Sequence, residues 1–477
     1  MEIATSMIPA SFVPLSQLMN TDRATQRSVD FPVAFDGFNQ QGQAISWQQF
    51  QQDTYQLSQQ LLARSESRWA LCFDNSYWFS VAFMAAYHSQ KQLIIPGNLQ
   101  PAALAELSQH FDAVLHDEVI DSTTLAPHFA FDVPKVLAKK SEMGLLQFKD
   151  LADVAITLFT SGSSGQPKAI DKPLSILEKE VAQLQATWGE SLSGVTTAST
   201  VSHQHIYGLL FRILWPLSAG RPFLAQNWQY PEQIIEHADQ DTVLISSPAL
   251  LKRLTPAEPA NRYRAIFSSG GPLPLDAAKT CNTLFNSYPH EVLGSTETGG
   301  IAHRQQRSSD TPWQAFVGTQ IDVNAEQCLK IKSPLVDIAN WYQTADQCEL
   351  LDDQHFILKG RADRVIKIEE KRISLSEIER RLNQLDDITE AAVIPYQEPK
   401  RLITAAAITL SPIGQAKLKQ LGKGKFVLML RQSLHQWIEP VGIPRRFRVV
   451  DEIPLNTQGK RLISDIEQLF HSESRSK

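Results

Sequence analysis

The chain has 477 residues, 43% of them hydrophobic, which is enough apolar material for a large core and enough length for two or more domains. Its 45 basic and 51 acidic residues give a net charge of −6 and are well mixed, which speaks against a general nucleic-acid binder. Cys72, Cys281, Cys328 and Cys348 are too scattered for a disulfide framework or a metal-ligand pair, there is no basic leader followed by an apolar run, and no apolar run approaches membrane-spanning length. The expectation is a soluble cytoplasmic protein in a reducing compartment, with no integral membrane association.

The first 150 residues alternate strand-like and helix-like segments. Trp69 to Phe73 reads as a strand, Tyr77 to His88 as a helix apolar on nearly all sides, and Leu93 to Ile95 as a second strand. Pro101 opens a further helix at its first turn. This order predicts βαβ units and a parallel sheet, hence an α/β fold. Val154 to Phe159 is another apolar strand. Ile176, Leu177, Val181, Leu184 and Trp188 mark one face of a helix, and Val243 to Ile245 and Ala265 to Phe267 are short strands running into polar turns. Ligands gather at the carboxyl ends of strands in open α/β sheets, so both turns are candidate site loops. After about residue 315 short strands and hairpins take over, predicting a small all-β, barrel-like piece, with Asp352-Asp353-Gln354 as one hairpin turn. A helix from Ser376 to Leu385 follows, capped by Ser374 or Ser376. Then come strands at Ala391 to Pro395 and Ile403 to Thr409, a Gly/Lys linker from Leu421 to Lys425, a helix through Trp437 and a last strand at Phe447 to Val450. This reads as a compact α+β domain. The expected division is 1–362 and 363–477.

Between the strand ending at Phe159 and the following helix stands Thr160-Ser161-Gly162-Ser163-Ser164-Gly165-Gln166-Pro167-Lys168, with four hydroxyls, two glycines and a lysine. Glycines let backbone N–H groups turn toward a ligand, while hydroxyls and lysine supply donors for phosphate oxygens. The segment reads as a polyphosphate-holding loop, though not of the G-x-x-x-x-G-K-[ST] kind. Its nine residues also resemble, position by position, the loop T-[SG]-G-[ST]-[ST]-G-x-P-K of the adenylate-forming superfamily, which includes acyl-CoA synthetases, peptide-synthetase adenylation domains and beetle luciferases.

Further motifs extend the resemblance in family order from about residue 40 to the C-terminus. Gly270-Gly271-Pro272 matches the stretch that lies along the adenine ring. Leu293-Gly294-Ser295-Thr296-Glu297 resembles Y-G-x-T-E, with Leu293 where an aromatic is usual; it implies that Thr296 contacts the α-phosphate and Glu297 ligates Mg²⁺. A hard carboxylate oxygen suits that ion. In Ser202-His203-Gln204-His205-Ile206-Tyr207-Gly208, His205 matches the histidine closing the carboxylate pocket, and His203 is incidental. Thr344-Ala345-Asp346 resembles T-G-D, whose aspartate binds the ribose, and Gly360-Arg361-Ala362-Asp363 resembles G-R-x-D, with Arg361 reaching ribose or phosphate and Asp363 as hinge. Ile366 to Ile373 resembles I-K-x-x-G-x-R-I, with Glu370 in place of glycine in the loop that lines a phosphopantetheine channel. Pro454 to Lys460 resembles P-x-T-x-x-G-K, which makes Lys460 the catalytic lysine.

The resemblance implies ATP-dependent activation of a small aromatic or medium aliphatic carboxylic acid to an acyl adenylate. Transfer would follow to the thiol of coenzyme A or to the phosphopantetheine of a separate acyl carrier protein. The length and the Ile368-to-Leu375 segment resemble stand-alone ligases of bacterial aryl-polyene and polyketide-like pathways. Two alternatives stand beside this: a ligase that stops at the adenylate, motivated by Glu370, and a nucleotide-binding scaffold without turnover, against which Lys168, Glu297 and Lys460 argue.

Overall fold

A computed structural model describes residues 12–19, 27–117, 129–138, 144, 146, 154–161, 167–255, 259–368, 371–398, 401–435, 437–438, 440–455, 461 and 463–471. The chain divides into two compact units. One comprises Met1–Gln320 and Lys332–Asn340, the other Ile321–Ile331 and Trp341–Lys477.

The first unit holds two twisted sheets. In one, the strands run Phe129–Asp132, Ala113–His116, Arg68–Cys72, Gln92–Ile95, Ala155–Ser161 and Pro167–Pro173. The first five are parallel and the last folds back antiparallel on Ala155–Ser161, pairing Thr160 with Lys168 and Ile156 with Lys172. The predicted βαβ order is present, with the buried helix Ser76–His88 capped by Asn75, whose side chain accepts from the backbone N–H of Tyr77 and Trp78. The helix is apolar all round because it is covered all round, as expected of a core helix.

The second sheet of this unit carries six consecutive parallel strands: His290–Ser295, Ala265–Ser268, Thr242–Ser246, Thr196–Ser199, Phe223–Leu224 and Pro32–Asp36. Gly299–Gln305 joins antiparallel beside His290–Ser295. Parallel strands buried on both faces read as unbroken apolar runs, as Val243 to Ile245 and Ala265 to Phe267 do. The helix Leu174–Trp188 packs Leu177, Val181, Leu184 and Trp188 into the core, the face predicted from their spacing.

The second unit contains the predicted hairpin, in which Asp337–Leu350 pairs antiparallel with His355–Arg361. The three-stranded sheet Ile388–Glu398, Arg401–Leu410 and Arg446–Val449 follows the predicted order. Ser374 caps the helix Leu375–Asn383 by accepting from the Glu377 N–H at 3.1 Å. Two expectations here need correction. Leu421 to Lys425 is no linker but lies inside the helical run Pro412–Leu434, which breaks at Gly422 (φ +76°); the run ends before Trp437. A terminal helix, Ile463–His471, was not anticipated; it places Ile466 and Phe470 against Ile394, Tyr396 and Ile453.

At the centre of the first unit Trp188 meets Phe267, His290, His303 and Phe316 at ring-centroid distances of 5.0 to 5.7 Å. Burial, and secondarily the charge of His303, pushes His290 down to about 4, and burial also lowers His303. A histidine whose folded pKa lies below its unfolded value binds its proton preferentially in the unfolded chain. Stability is therefore full above about pH 6.5 and falls toward pH 4, by at most about 1.4 kcal/mol per pH unit for each such group. The urea unfolding midpoint should drop between pH 7 and pH 5, and His290→Phe, which keeps an aromatic ring, should flatten that drop.

Candidate active site

The candidate residues of the first unit stand on adjacent strands at their carboxyl ends. Ser202 to Gly208 follows Thr196–Ser199, Ser247 follows Thr242–Ser246, Ser269 to Pro272 follows Ala265–Ser268, and Thr296 and Glu297 follow His290–Ser295. Parallel strands all end on one side, so four loops distant in sequence converge there.

The sharpest geometry is the turn from Ser295 to Thr298. Its ends are locked: the Ser295 N–H donates to Thr298 Oγ1 at 3.0 Å, the Thr298 N–H donates to Ser295 Oγ at 3.1 Å, and Thr298 Oγ1 donates to the Gly299 carbonyl at 2.9 Å. Thr296 and Glu297, at the tip, are half-buried. Gly294 faces Gly300 across the hairpin with a register shift beside it, and a Cβ there would collide with the Gly299 carbonyl. The Gly270 turn is tied to the same strand. Ser269 Oγ donates to the Val292 carbonyl at 2.8 Å, and the Leu273 N–H donates to Glu291 Oε2 at 3.3 Å. Gly270 has φ +91°, and a side chain at Gly270 or Gly271 would meet only open space, so both backbone faces are bare toward a flat ligand.

Lys168 lies 129 positions before Glu297, yet its Nζ stands 3.5 Å from Glu297 Oε1. The structure thus joins the end of the phosphate-loop motif to the carboxylate of the second motif. Thr160 stands one residue before the end of the strand that leads into the loop and pairs with Lys168. Ser161 is placed by its backbone alone, and Gly162, Ser163, Ser164 and Gly165 lie outside the described residues.

His205 is half-buried and precedes the short helix Ile206–Gly208. His203 is a different kind of residue. Its Nδ1 lies 3.0 Å from Ser76 Oγ and its Nε2 3.0 Å from the Phe73 carbonyl, and burial holds it well below its ordinary pKa. It is a core histidine.

In the second unit, Asp346 and Arg361 are register partners on the hairpin, and Arg361 Nη1 donates to Asp346 Oδ1 at 3.4 Å. The Asp346 N–H donates to Thr344 Oγ1, which donates to the Leu329 carbonyl at 2.8 Å. The Ile366-to-Ile373 segment is a hairpin of Val365–Ile368 and Lys371–Ser374, and the residues between, Glu369 and Glu370, lie outside the described residues, as does Lys460.

Two residues escaped the motif reading. Lys172 and Glu180 are 4% and 3% exposed, and Glu180 Oε1 accepts from the Gly300 N–H at 2.7 Å. The signals were there: Lys172 shares a strand face with Lys168, and Glu180 interrupts the apolar stripe of its helix beside Leu177, Val181 and Leu184.

For a magnesium ion the donor chemistry fits in a limited way. Glu297 is a part-exposed carboxylate facing a lysine, and among the described residues no group of three His, Cys, Asp or Glu side chains could hold a metal unaided. Magnesium commonly takes one or two carboxylates and completes its shell with phosphate oxygens and water. No helix among the described residues is long and apolar enough to cross a membrane.

Residues 21–330 match the model of the AMP-binding enzyme family, about two thirds of the chain, and the chain belongs to that family. Among individual relatives, it is 24% identical over 378 residues to the 4-hydroxybenzoate--CoA/benzoate--CoA ligase of Rhodopseudomonas palustris, covering 70% of this chain and 68% of that one. It is 25% identical over 349 residues to the D-alanine--D-alanyl carrier protein ligase of Staphylococcus epidermidis, covering 65% and 70%. Two far longer synthases also match, of which it spans only 6% and 18%. The fold is that of ATP-bound MatB from Rhodopseudomonas palustris, with a TM-score of 0.80, 17% identity, and 97% and 100% of the two chains covered.

The Gly294 clash gives a test of the turn. Gly294→Ala forces the hairpin open, and overpacking of this kind costs about 1–3 kcal/mol. Urea denaturation should show that loss, whereas Gly271→Ala, in open space, should change stability by less than about 0.5 kcal/mol.

Proposed function

We propose that the chain is an AMP-forming acid:thiol ligase. The observation that carries this reading is the approach of Lys168 to Glu297, because it brings a phosphate-binding motif and a metal-ligand motif to one place. In the first half-reaction a substrate carboxylate oxygen attacks the α-phosphorus of ATP, and the bond from that phosphorus to the bridging β-oxygen breaks, releasing pyrophosphate. In the second a thiol sulfur attacks the acyl carbon, its proton goes to solvent, and AMP leaves.

The chain's task in the first step is positioning and stabilisation of charge growing on the α-phosphate. Thr160 to Lys168 would hold the β- and γ-phosphates, Thr296 the α-phosphate, and Glu297 a magnesium ion. When bound, that ion neutralises phosphate charge. The Gly270-Gly271-Pro272 turn would take the adenine, Asp346 and Arg361 the ribose, and His205 would close the carboxylate pocket. Lys460 would contact both the attacking carboxylate and the α-phosphate. For the second step residues 363–477 would turn about Asp363 and exchange Lys460 for the Ile366-to-Arg372 hairpin, a motion of the kind that gates many enzymes. The acid is aromatic or medium aliphatic. The thiol belongs to coenzyme A or to an acyl carrier protein, and relatives of both kinds support keeping both. Glu370 favours one second reading, a ligase that stops at the adenylate.

Pyrophosphate release should depend on both ATP and a carboxylic acid from a panel; release of ADP and inorganic phosphate would reject the reading. Removing a donor aimed at developing charge costs about 10²–10³-fold in rate. Lys460→Ala should slow adenylate formation by at least that factor and spare thiolysis of a supplied acyl adenylate. Equal damage to both steps would reject the exchange of Lys460 for the hairpin.

A further inference from the structure

We propose that Lys172 and Glu180 form a buried charged support beneath the Thr296-Glu297 turn, and that Lys172 is a positioning residue for Glu297. This rests on the ligase reading above.

The geometry begins with strand periodicity. Side chains of a strand alternate between faces, so Lys168, Ile170 and Lys172 of Pro167–Pro173 share one face and Asp171 points the other way. Asp171 indeed bonds Thr157 Oγ1 on its own side, at 2.6 Å. Lys168 and Lys172 therefore face the same turn from two depths. Lys168 is 61% exposed at its side chain and reaches Glu297 Oε1 from outside; Lys172 is 4% exposed and lies inside. The attraction of Glu180 and of Glu297 acts on Lys172 against the effect of its burial.

Glu180 supplies the second half. It projects from the helix Leu174–Trp188 to the returning strand of the same hairpin, where Oε1 accepts from the Gly300 N–H at 2.7 Å. Its other oxygen, Oε2, is buried and has no hydrogen-bond partner among the described residues. A Cβ at Gly299 would come within 3.0 Å of Oε2, so the carboxylate lies directly against the Gly299 backbone. A carboxylate in this position, half of it without a hydrogen bond, needs a counter-charge, and Lys172 is the cation whose field reaches it. The hairpin that presents Glu297 is thus held at Gly300 by Glu180, while Lys172, buried on the strand face of Lys168, feels the charge of both carboxylates. Partners of metal ligands typically change metal affinity or activity about 10–100-fold when removed.

The double variant Lys172→Met/Glu180→Leu tests this. It removes one charge of each sign, leaves no orphan in the core, and keeps the net charge seen from Glu297 nearly constant. An apolar replacement of a buried ion pair is commonly tolerated, so its melting temperature without ligand should stay near wild type, while Lys172→Met alone should melt lower. Two readouts then follow. With an acid that wild type activates, the Mg²⁺ concentration giving half-maximal ATP–pyrophosphate exchange should rise about tenfold or more, with thiolysis of a supplied acyl adenylate unchanged. Independently of turnover, the thermal stabilisation added by Mg²⁺ to a complex with a non-hydrolysable ATP analogue should shrink. A wild-type Mg²⁺ response in both measurements overturns the proposal. Should the double variant not fold, Lys172→Gln with Glu180→Gln takes its place with the same two outcomes. Absence of any acid-dependent exchange by wild type would instead sink the ligase reading itself, and the proposal with it.

Discussion

A steric constraint at Gly294 governs the first unit's site. Gly294 sits so close to the returning strand that no side chain fits, and this closeness allows Ser295 and Thr298 to lock across the turn. The turn in turn decides where Thr296 and Glu297 stand. Two further parts of the site are placed relative to that hairpin: Lys168 by its approach to Glu297, and the Gly270 turn by bonds from Ser269 and Leu273 to Val292 and Glu291. The sheet does the rest, because parallel strands present their loops at one end.

Two buried carboxylates stiffen this arrangement from below. Glu291 accepts from Arg304 Nε at 2.8 Å and from the Leu273 N–H, fixing the Gly270 turn to the strand His290–Ser295. Glu180 accepts from the Gly300 N–H and fixes the opposite strand of the hairpin. Burial raises the pKa of both, and each has a cation nearby that opposes the rise, Arg304 in one case and Lys172 in the other. Buried ion pairs contribute little net stability compared with apolar residues of the same volume. They do specify one geometry, which is what turns that must meet a ligand require.

Much of this was legible in the residues. The βαβ order, the apolar stripe ending at Trp188 and the Asp352 hairpin follow from local periodicity and turn chemistry, which tertiary packing then had no reason to override. Two glycines and two lysines in the five residues Leu421 to Lys425 look like a linker, whereas the helical run Pro412–Leu434 breaks at Gly422 and resumes directly after it. The terminal helix Ile463–His471 was missed because only Ile466 and Phe470 of its residues are buried, a weak stripe. Lys172 and Glu180 fall outside the motifs for another reason. Motifs record contiguous residues, whereas these two act through a hairpin more than a hundred positions away. His203 shows the reverse: the motif sets it aside as incidental beside His205, and the packing of Ser76, Phe73 and Arg212 around it shows the physical reason, a histidine built into the core.

The two lysines on one strand face show how burial divides labour between identical side chains. An exposed ion pair is worth only about 0–1 kcal/mol. Lys168, mostly exposed and 3.5 Å from Glu297, is therefore cheaply released, and a polyphosphate offering several oxygens would outcompete one carboxylate for it. Lys172 has no such freedom. It is buried, it stands in the field of Glu180 as well as Glu297, and leaving would strand a carboxylate against the Gly299 backbone. A site that must accept a highly charged ligand and a cation together needs both behaviours: one positive charge that moves to the ligand, and one that stays so that Glu297 is still in place when it arrives.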